Sequence, residues 1–145
     1  MSTRWLITVL AALVFAVPTH AASIQARLIR ATNKADDSPP VDAALKDIAP
    51  KLKKRFGFES YRLMGTQQQS LDKESTSRLN LGEGFVVFIK PKSVEKTAHE
   101  LDVQWWSGRA LLVKTTVKIS EKSSLLIKGP EVGDDWIILA LTMQE

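Results

Sequence analysis

The chain lacks cysteine, and its 145 residues include only two histidines and one tyrosine. Without cysteine it can form neither a disulfide framework nor a thiolate site for metal or redox chemistry. Its length suits one domain of about 100–150 residues rather than a multidomain enzyme. Charged residues make up 25% and hydrophobic residues 44% of the chain, which are ordinary globular values. These fractions argue against long disorder and against a polytopic membrane protein.

The beginning of the chain has the pattern of a secretory signal peptide. A basic residue precedes the apolar run 6–17, and small residues follow that run. A membrane span needs about 20 apolar residues, so the run is too short to be an anchor. We expect cleavage after Ala21 or Ala22 and no transmembrane segment in the product. The predicted organisation is a signal peptide at 1–21 and one exported β-rich domain at 22–145, located in the periplasm or at the cell surface.

Alternating hydrophobic residues predict about seven strands in the exported domain. The alternating or apolar segments are 24–31, 58–64, 85–89, 98–106, 110–120, 124–128 and 136–142, with one more strand or a long hairpin in 66–80. Short strands at regular spacing favour an α+β fold built on a mostly antiparallel sheet or sandwich. Segments 85–89 and 137–141 are apolar on both faces, so we expect a helix to cover one side of these strands and a second sheet the other.

One amphipathic helix is predicted after the first strand. Hydrophobic residues in 41–56 recur at intervals of four, three, four and four, which places them on one helical face. Pro50 removes a backbone donor and should kink or split the helix near Ala49; we expect one kinked helix that ends at a Gly57 cap.

The first strand has two alternative partners. The order strand, helix, strand permits a βαβ unit with a right-handed crossover. Alternatively, the polar loop 33–40 is long enough for the first strand to add to the sheet of a neighbouring subunit. We expect pairing within the chain.

Short motifs after the predicted signal peptide carry a resemblance. They are Ala44-Leu45-Lys46, Phe58, Ser60-Tyr61-Arg62-Leu63, Gly129-Pro130, Gly133-Asp134 and Ile137-Ile138-Leu139-Ala140-Leu141. With them the chain resembles a group of small exported proteins of Gram-negative bacteria, whose members often have glycine at the position of Asp135. The resemblance implies a β-rich domain of the cell envelope and no catalytic residue.

The sequence offers little for catalysis. His99, the only histidine after the predicted signal peptide, lies in a polar segment and is expected on the solvated surface. A single histidine cannot seed a zinc site, and neither a nucleophile elbow nor a phosphate-binding loop occurs. Glu131, Asp134 and Asp135 could hold a hard cation loosely, but a turn with solvated acids is the favoured interpretation. We therefore expect no enzyme, no cofactor and no metal.

The end of the predicted helix is strongly basic and is a candidate contact with a partner. Lys51, Lys53, Lys54 and Arg55 suit the negative end of the helix dipole. The ordinary interpretation is a solvated face, and the functional one is attraction to an anionic surface of the envelope. We do not expect nucleic acid as a partner, because export separates the protein from it.

Two adjacent tryptophans are the second candidate. Neighbours on a strand point to opposite faces, so Trp105 is expected in the core with Val103. Trp106 shares a face with Asp102 and Gln104. It is either exposed as an anchor for a partner or buried in a second core layer beneath the helix, and we favour the second alternative.

These observations lead to two hypotheses for function. The first is a non-enzymatic structural or assembly subunit of a cell-envelope or surface complex, which acts through contacts with envelope proteins or with copies of itself. The alternative is a monomeric periplasmic binding module for an anionic glycan, lipid or protein. A small hydrolase is disfavoured by the missing chemistry.

Overall fold

A computed structural model describes residues 22–34, 38–72, 74–94 and 98–144. The predicted signal peptide and the middle of the loop 33–40 lie outside the described residues. Within them the chain forms eight strands, one 3₁₀ turn (Ala43–Leu45) and one α-helix, α1 (Ala49–Arg55). The strands are β1 (Ser23–Thr32), β2 (Ser60–Ser70), β3 (Ser77–Gly82), β4 (Phe85–Val94), β5 (Ala98–Ser107), β6 (Ala110–Ser120), β7 (Ser124–Val132) and β8 (Asp135–Gln144). Neither helical segment has the length and hydropathy to cross a bilayer.

The strands form two antiparallel sheets. Sheet A has the order β2-β1-β8-β7 and sheet B has the order β3-β4-β5-β6. Within each sheet, strands that are consecutive in the chain are paired, and β8 returns to pair with β1. The β-rich sandwich predicted from the alternation is confirmed, with eight strands instead of about seven. β1 pairs within the chain, as expected, but it is antiparallel to β2, so the βαβ alternative is wrong.

The main core lies between the inner faces of the two sheets. It holds the alternate hydrophobic residues of β1, β4, β5 and β8, and Trp105 from sheet B is fully buried at its centre. The tryptophan ring reaches across to Gly129 of β7 in sheet A. The predicted inward orientation of Trp105 is confirmed.

A second core lies on the outer face of sheet A, beneath the helical segment. Leu45, Ile48 and Leu52 pack there against Ile29 and Ile138. The predicted stripe is correct, but the prediction of one kinked helix is wrong: a 3₁₀ turn and α1 are separate. Proline is tolerated only in the first turn of a helix because it has no N–H to donate, and Pro50 accordingly lies at the start of α1.

The end of α1 is stabilised by a side chain from sheet A. The buried Tyr61 hydroxyl lies 2.9 Å from the Phe56 carbonyl oxygen and 3.1 Å from that of Leu52, and it accepts the Phe58 N–H at 3.3 Å. It thus satisfies groups that a helix end leaves open. The predicted Gly57 cap is wrong, because Gly57 lacks the positive φ that such a cap needs.

An ion pair between a buried arginine and an exposed aspartate also fixes the helical segment to sheet A. Arg27 of β1 is 3% exposed, and its two terminal nitrogens donate to the Asp47 carboxylate at 2.7 and 2.9 Å. Arg27 also donates to Thr142 Oγ1 of β8 at 3.0 Å. The hydrogen bonds from Arg27 hold the pKa of Asp47 below its ordinary value.

The connection between the last two strands and the covering of β4 both differ from the prediction. The last two strands were predicted as 124–128 and 136–142, but β7 continues to Val132 and β8 begins at Asp135, so a tight turn at Gly133 and Asp134 joins them. The residues of β8 from 137 to 141 are buried on both faces, as predicted. The expectation that a helix also covers segment 85–89 is wrong. Val86 and Phe88 on the outer face of β4 are only half-buried, because the helical segment covers sheet A and not sheet B.

Candidate functional site

The outer face of sheet B has no covering layer among the described residues. Val86, Phe88 and Trp106 are half-buried there, and Leu111 is 44% exposed. Their orientation follows from the alternation of β4 and β5, whose other residues fill the main core. We call this surface the sheet B face. Large hydrophobic side chains that share an uncovered face are typical of binding surfaces.

Trp106 is at the centre of the hydrophobic part of this face. It is paired with Val86 of β4 on one side and with Leu111 of β6 on the other. Its Nε1 donates to Gln104 Oε1 at 3.2 Å, which fixes the orientation of the ring. The prediction that Trp106 fills a second core layer beneath the helix is wrong, because that layer lies on the opposite sheet. The alternative of a partly exposed Trp106 agrees with the structure.

A shallow groove of about 370 Å³ lies beside the Trp106 ring. It is lined by Thr76, Phe88, Lys90, Asp102, Gln104 and Trp106. Trp106 is paired with Val86, and Phe88 is paired with Gln104, two residues before Trp106 on β5. The two aromatic residues are therefore diagonal neighbours on adjacent strands. Such neighbours are about 7–8 Å apart, within reach of aromatic side chains. The groove therefore has two aromatic walls with polar groups between and beside them.

The polar end of the groove contains one engaged carboxylate. Asp102 Oδ1 accepts a hydrogen bond from Thr116 Oγ1 at 2.6 Å and lies 3.8 Å from Lys92 Nζ. Lys90 is directly opposite Asp102 in the register and is exposed. A second hollow of about 390 Å³ continues past Asp102 and Gln104 towards Lys114 of β6. The polar surface thus extends from the aromatic groove to the edge of the sheet.

One row of side chains crosses all four strands of sheet B. Arg78 pairs with Phe88, Phe88 with Gln104, and Gln104 with Lys114. Because paired residues point to the same face, the row has a cation at each edge of the sheet and an aromatic ring and an amide between them. This arrangement can bind an elongated ligand that has hydrophobic and anionic groups.

The basic end of α1 lies on the other side of the molecule. Lys53, Lys54 and Arg55 are exposed on the helix that covers sheet A. Lys51 Nζ donates to the Ser124 carbonyl oxygen at the start of β7, so this lysine holds the helix on the sheet. The two candidate contacts predicted from the sequence are therefore not brought together, since Trp106 is on the sheet B face.

The described residues provide little for catalysis. His99 is 2% exposed and its Nδ1 has no hydrogen-bond partner there, so the expectation of a solvated histidine is wrong. Its burial follows from the alternation of β5, which puts His99 on the inner face with Leu101. Asp135 lies 3.8 Å from Arg30, while Glu131 and Asp134 are exposed. In 22–34, 38–72, 74–94 and 98–144, no three acidic or histidine side chains are grouped to hold a metal ion.

Comparison with known proteins finds no matching family model, no matching curated protein and no matching solved structure. The functional interpretation therefore depends on the geometry of the chain itself. Sequence reasoning singled out Trp106 but missed Phe88 and Lys90, which line the groove with it, and Arg78, which pairs with Phe88. The alternation of Val86, Phe88 and Lys90 could have predicted that these side chains share a face. The position of Arg78 beside Phe88 depends on the register between β3 and β4, which the sequence pattern does not give.

Proposed function

We propose that the protein is a non-enzymatic binding protein of the bacterial cell envelope and that it contacts its partner through the sheet B face. The observation that carries the proposal is the groove between Phe88 and Trp106, which lies on a face that no other described residues cover and has polar groups along one side. Aromatic side chains on such faces are frequent anchors of interfaces. The cellular location rests on the signal peptide predicted at 1–21 and on the resemblance to small exported proteins.

Assembly through strand exchange receives less support than binding through this face. β1 is a central strand of sheet A, paired with both β2 and β8, so it is not a separable segment. The edge strands of sheet B carry Arg78 on β3 and Lys114 and Lys118 on β6, and charged edge residues discourage edge-to-edge pairing. β2 is an edge strand of sheet A. Near its start, the outer edge is covered by Val41, which pairs with Tyr61 in a parallel bridge.

Retention on isolated envelopes tests the proposal. The full chain is expressed in a Gram-negative host, and the protein recovered from envelope extracts is mixed with envelopes of the source bacterium and sedimented. The variants are Trp106→Ala on the sheet B face and Lys53→Gln with Lys54→Gln on α1, which is on the opposite side. We expect the wild type and the α1 variant to sediment with the envelopes and Trp106→Ala to remain in the supernatant.

The fold of Trp106→Ala is checked by thermal unfolding, because the residue is half-buried. If folded Trp106→Ala sediments as well as the wild type, the proposal is wrong. An increase of particle mass with concentration in light scattering would then favour the assembly hypothesis instead. Loss of retention in the α1 variant alone would assign binding to the basic helix end.

A further inference from the structure

We infer, on the basis of the proposed function, that the ligand of the sheet B face is an anionic oligosaccharide whose sugar rings carry carboxylates. The chain of sugars lies across β3, β4, β5 and β6, along the row formed by Arg78, Phe88, Gln104 and Lys114. One ring rests in the groove between Phe88 and Trp106, and carboxylates of the flanking rings meet the cations at the two edges.

The aromatic walls account for the binding of a ring. A pyranose ring has a face of C–H groups, which packs on the face of an aromatic side chain, and a rim of hydroxyl groups. Trp106 is half-buried, so one part of its ring is available to a ligand, and the bond from Nε1 to Gln104 Oε1 fixes its orientation at little further cost in side-chain entropy. The groove, at about 370 Å³, lies at the small end of ligand sites, which suits one ring at a time.

Polar side chains beside the aromatic walls match the hydroxyl rim. Gln104 uses its Oε1 to hold Trp106, and within the described residues its Nε2 has no side-chain partner, so the amide presents a donor to the groove. Thr76 and Asp102 add a hydroxyl and a carboxylate to the lining. A few convergent polar groups beside apolar walls give orientation and specificity to a ligand.

The charge on the sheet B face favours an anion. Among the described residues, five cations point outward from its strands and two carboxylates do so: Arg78, Lys90, Lys92, Lys114 and Lys118 against Glu100 and Asp102. Asp102 is engaged by Lys92, and Glu100 is opposite Lys118 in the register. The excess positive charge therefore lies at Arg78, Lys90 and Lys114, around the aromatic groove.

The spacing of these cations favours an oligomer over a single sugar. Arg78 and Lys114 are on the first and last strands of the sheet, three strand spacings apart. At about 4.8 Å per spacing, the row spans about 14 Å, which is longer than one ring. A lipid is a poorer match, because the groove is an open surface feature and provides no enclosed apolar cavity for an acyl chain.

Titration with a defined oligosaccharide tests the inference. The probe is a hexamer of α-1,4-linked galacturonic acid, and the neutral control is maltohexaose, with binding measured by calorimetry at low and high salt. We expect the hexuronate to bind more weakly at high salt, because exposed charges are screened, and maltohexaose to bind at least tenfold more weakly. Trp106→Ala should weaken hexuronate binding about tenfold or more. Lys114→Gln should weaken it up to about fivefold, and Lys54→Gln on α1 should leave it unchanged.

Competition on envelopes separates this inference from the proposed function. The hexuronate, and not maltohexaose, should release the wild type from sedimented envelopes. If retention depends on Trp106 but the hexuronate neither binds nor competes, the binding function stands and the ligand class is wrong. If the hexuronate binds equally to the wild type, Trp106→Ala and Lys114→Gln, binding is nonspecific and the inference is overturned. If retention does not depend on Trp106, the proposed function and the inference both fail.

Discussion

Replacement of Gly129 by alanine tests the packing between the two sheets. A Cβ at this position would lie 2.5 Å from Trp105 Cζ3 and 3.0 Å from the Ile137 carbonyl oxygen. The Trp105 ring is fully buried and lies against Phe85, with 6.2 Å between ring centroids, so a shift of the ring must displace other core side chains. Overpacking a filled core costs about 1–3 kcal/mol. We expect a loss of about 3 kcal/mol, because the added Cβ would collide with both the Trp105 ring and the Ile137 backbone.

For a domain of this size, a loss of about 3 kcal/mol lowers the melting temperature by roughly 10 °C. The assay is chemical denaturation followed by circular dichroism, from which the free energy of unfolding is obtained. Gly57→Ala is the matched control, because a Cβ there meets nothing within 4 Å and φ is not positive. That substitution should be neutral or stabilise by about 0.4–1 kcal/mol.

A double-mutant cycle identifies the cause of the loss. Trp105→Phe removes the ring atoms that the new methyl group would meet, together with a buried Nε1 that has no hydrogen-bond partner among the described residues. Gly129→Ala should therefore cost at least about 1 kcal/mol less in the Trp105→Phe background. If the cost of Gly129→Ala is the same in both backgrounds, the clash with Trp105 is not its cause and the reasoning is refuted.

Two further predictions concern the attachment of α1 to sheet A. Tyr61→Phe removes the buried hydroxyl that accepts the Phe58 N–H, and we expect a loss of about 1–2 kcal/mol in denaturation; unchanged stability would contradict this role. Because Arg27 lowers the pKa of Asp47 below 3.8, the pair stabilises the fold fully above the ordinary pKa, and this contribution is lost as the pH falls through the lowered value. Asp47→Asn should remove that part of the acid dependence; identical curves of stability against pH below about pH 4 would contradict it. The effect should be small, because Asp47 is more than half exposed.

The strands could be predicted from the sequence because alternation depends only on local burial. β6 has the predicted bounds, β5 begins as predicted and ends one residue later, and β1 and β8 differ from the prediction by one or two residues at each end. β2 was predicted to end near Met64, because its second half is polar and exposed, so it lacks the signal on which the prediction relied. The number of helical segments was predicted wrongly at Pro50, because a proline at this position is compatible either with a kink in one helix or with the start of a second helix.

The candidate site was predictable only in part. The orientation of Trp106 relative to Trp105 follows from the pleat of one strand, and this part of the prediction was correct. What lies over each face depends on which sheet the helical segment covers, and no local pattern contains that information. Trp106 was therefore assigned to a layer beneath the helix, while the row from Arg78 to Lys114 depends on the register of three strand pairs.

The pairing of β1 with β8 has a consequence for how the protein reaches its folded state. Ser23 pairs with Gln144 and Leu28 with Leu139, so the first described strand needs a partner that is synthesised after all the other described strands. Loop closure over such a distance is unfavourable until the pairing is formed, and non-local contacts slow folding. The hairpins of sheet B can form as they appear, whereas the centre of sheet A must wait for β8. A chain that ends after β7 would leave β1 with one free edge and both cores open, so degradation by proteases, rather than reduced binding, is the expected fate of C-terminal truncations.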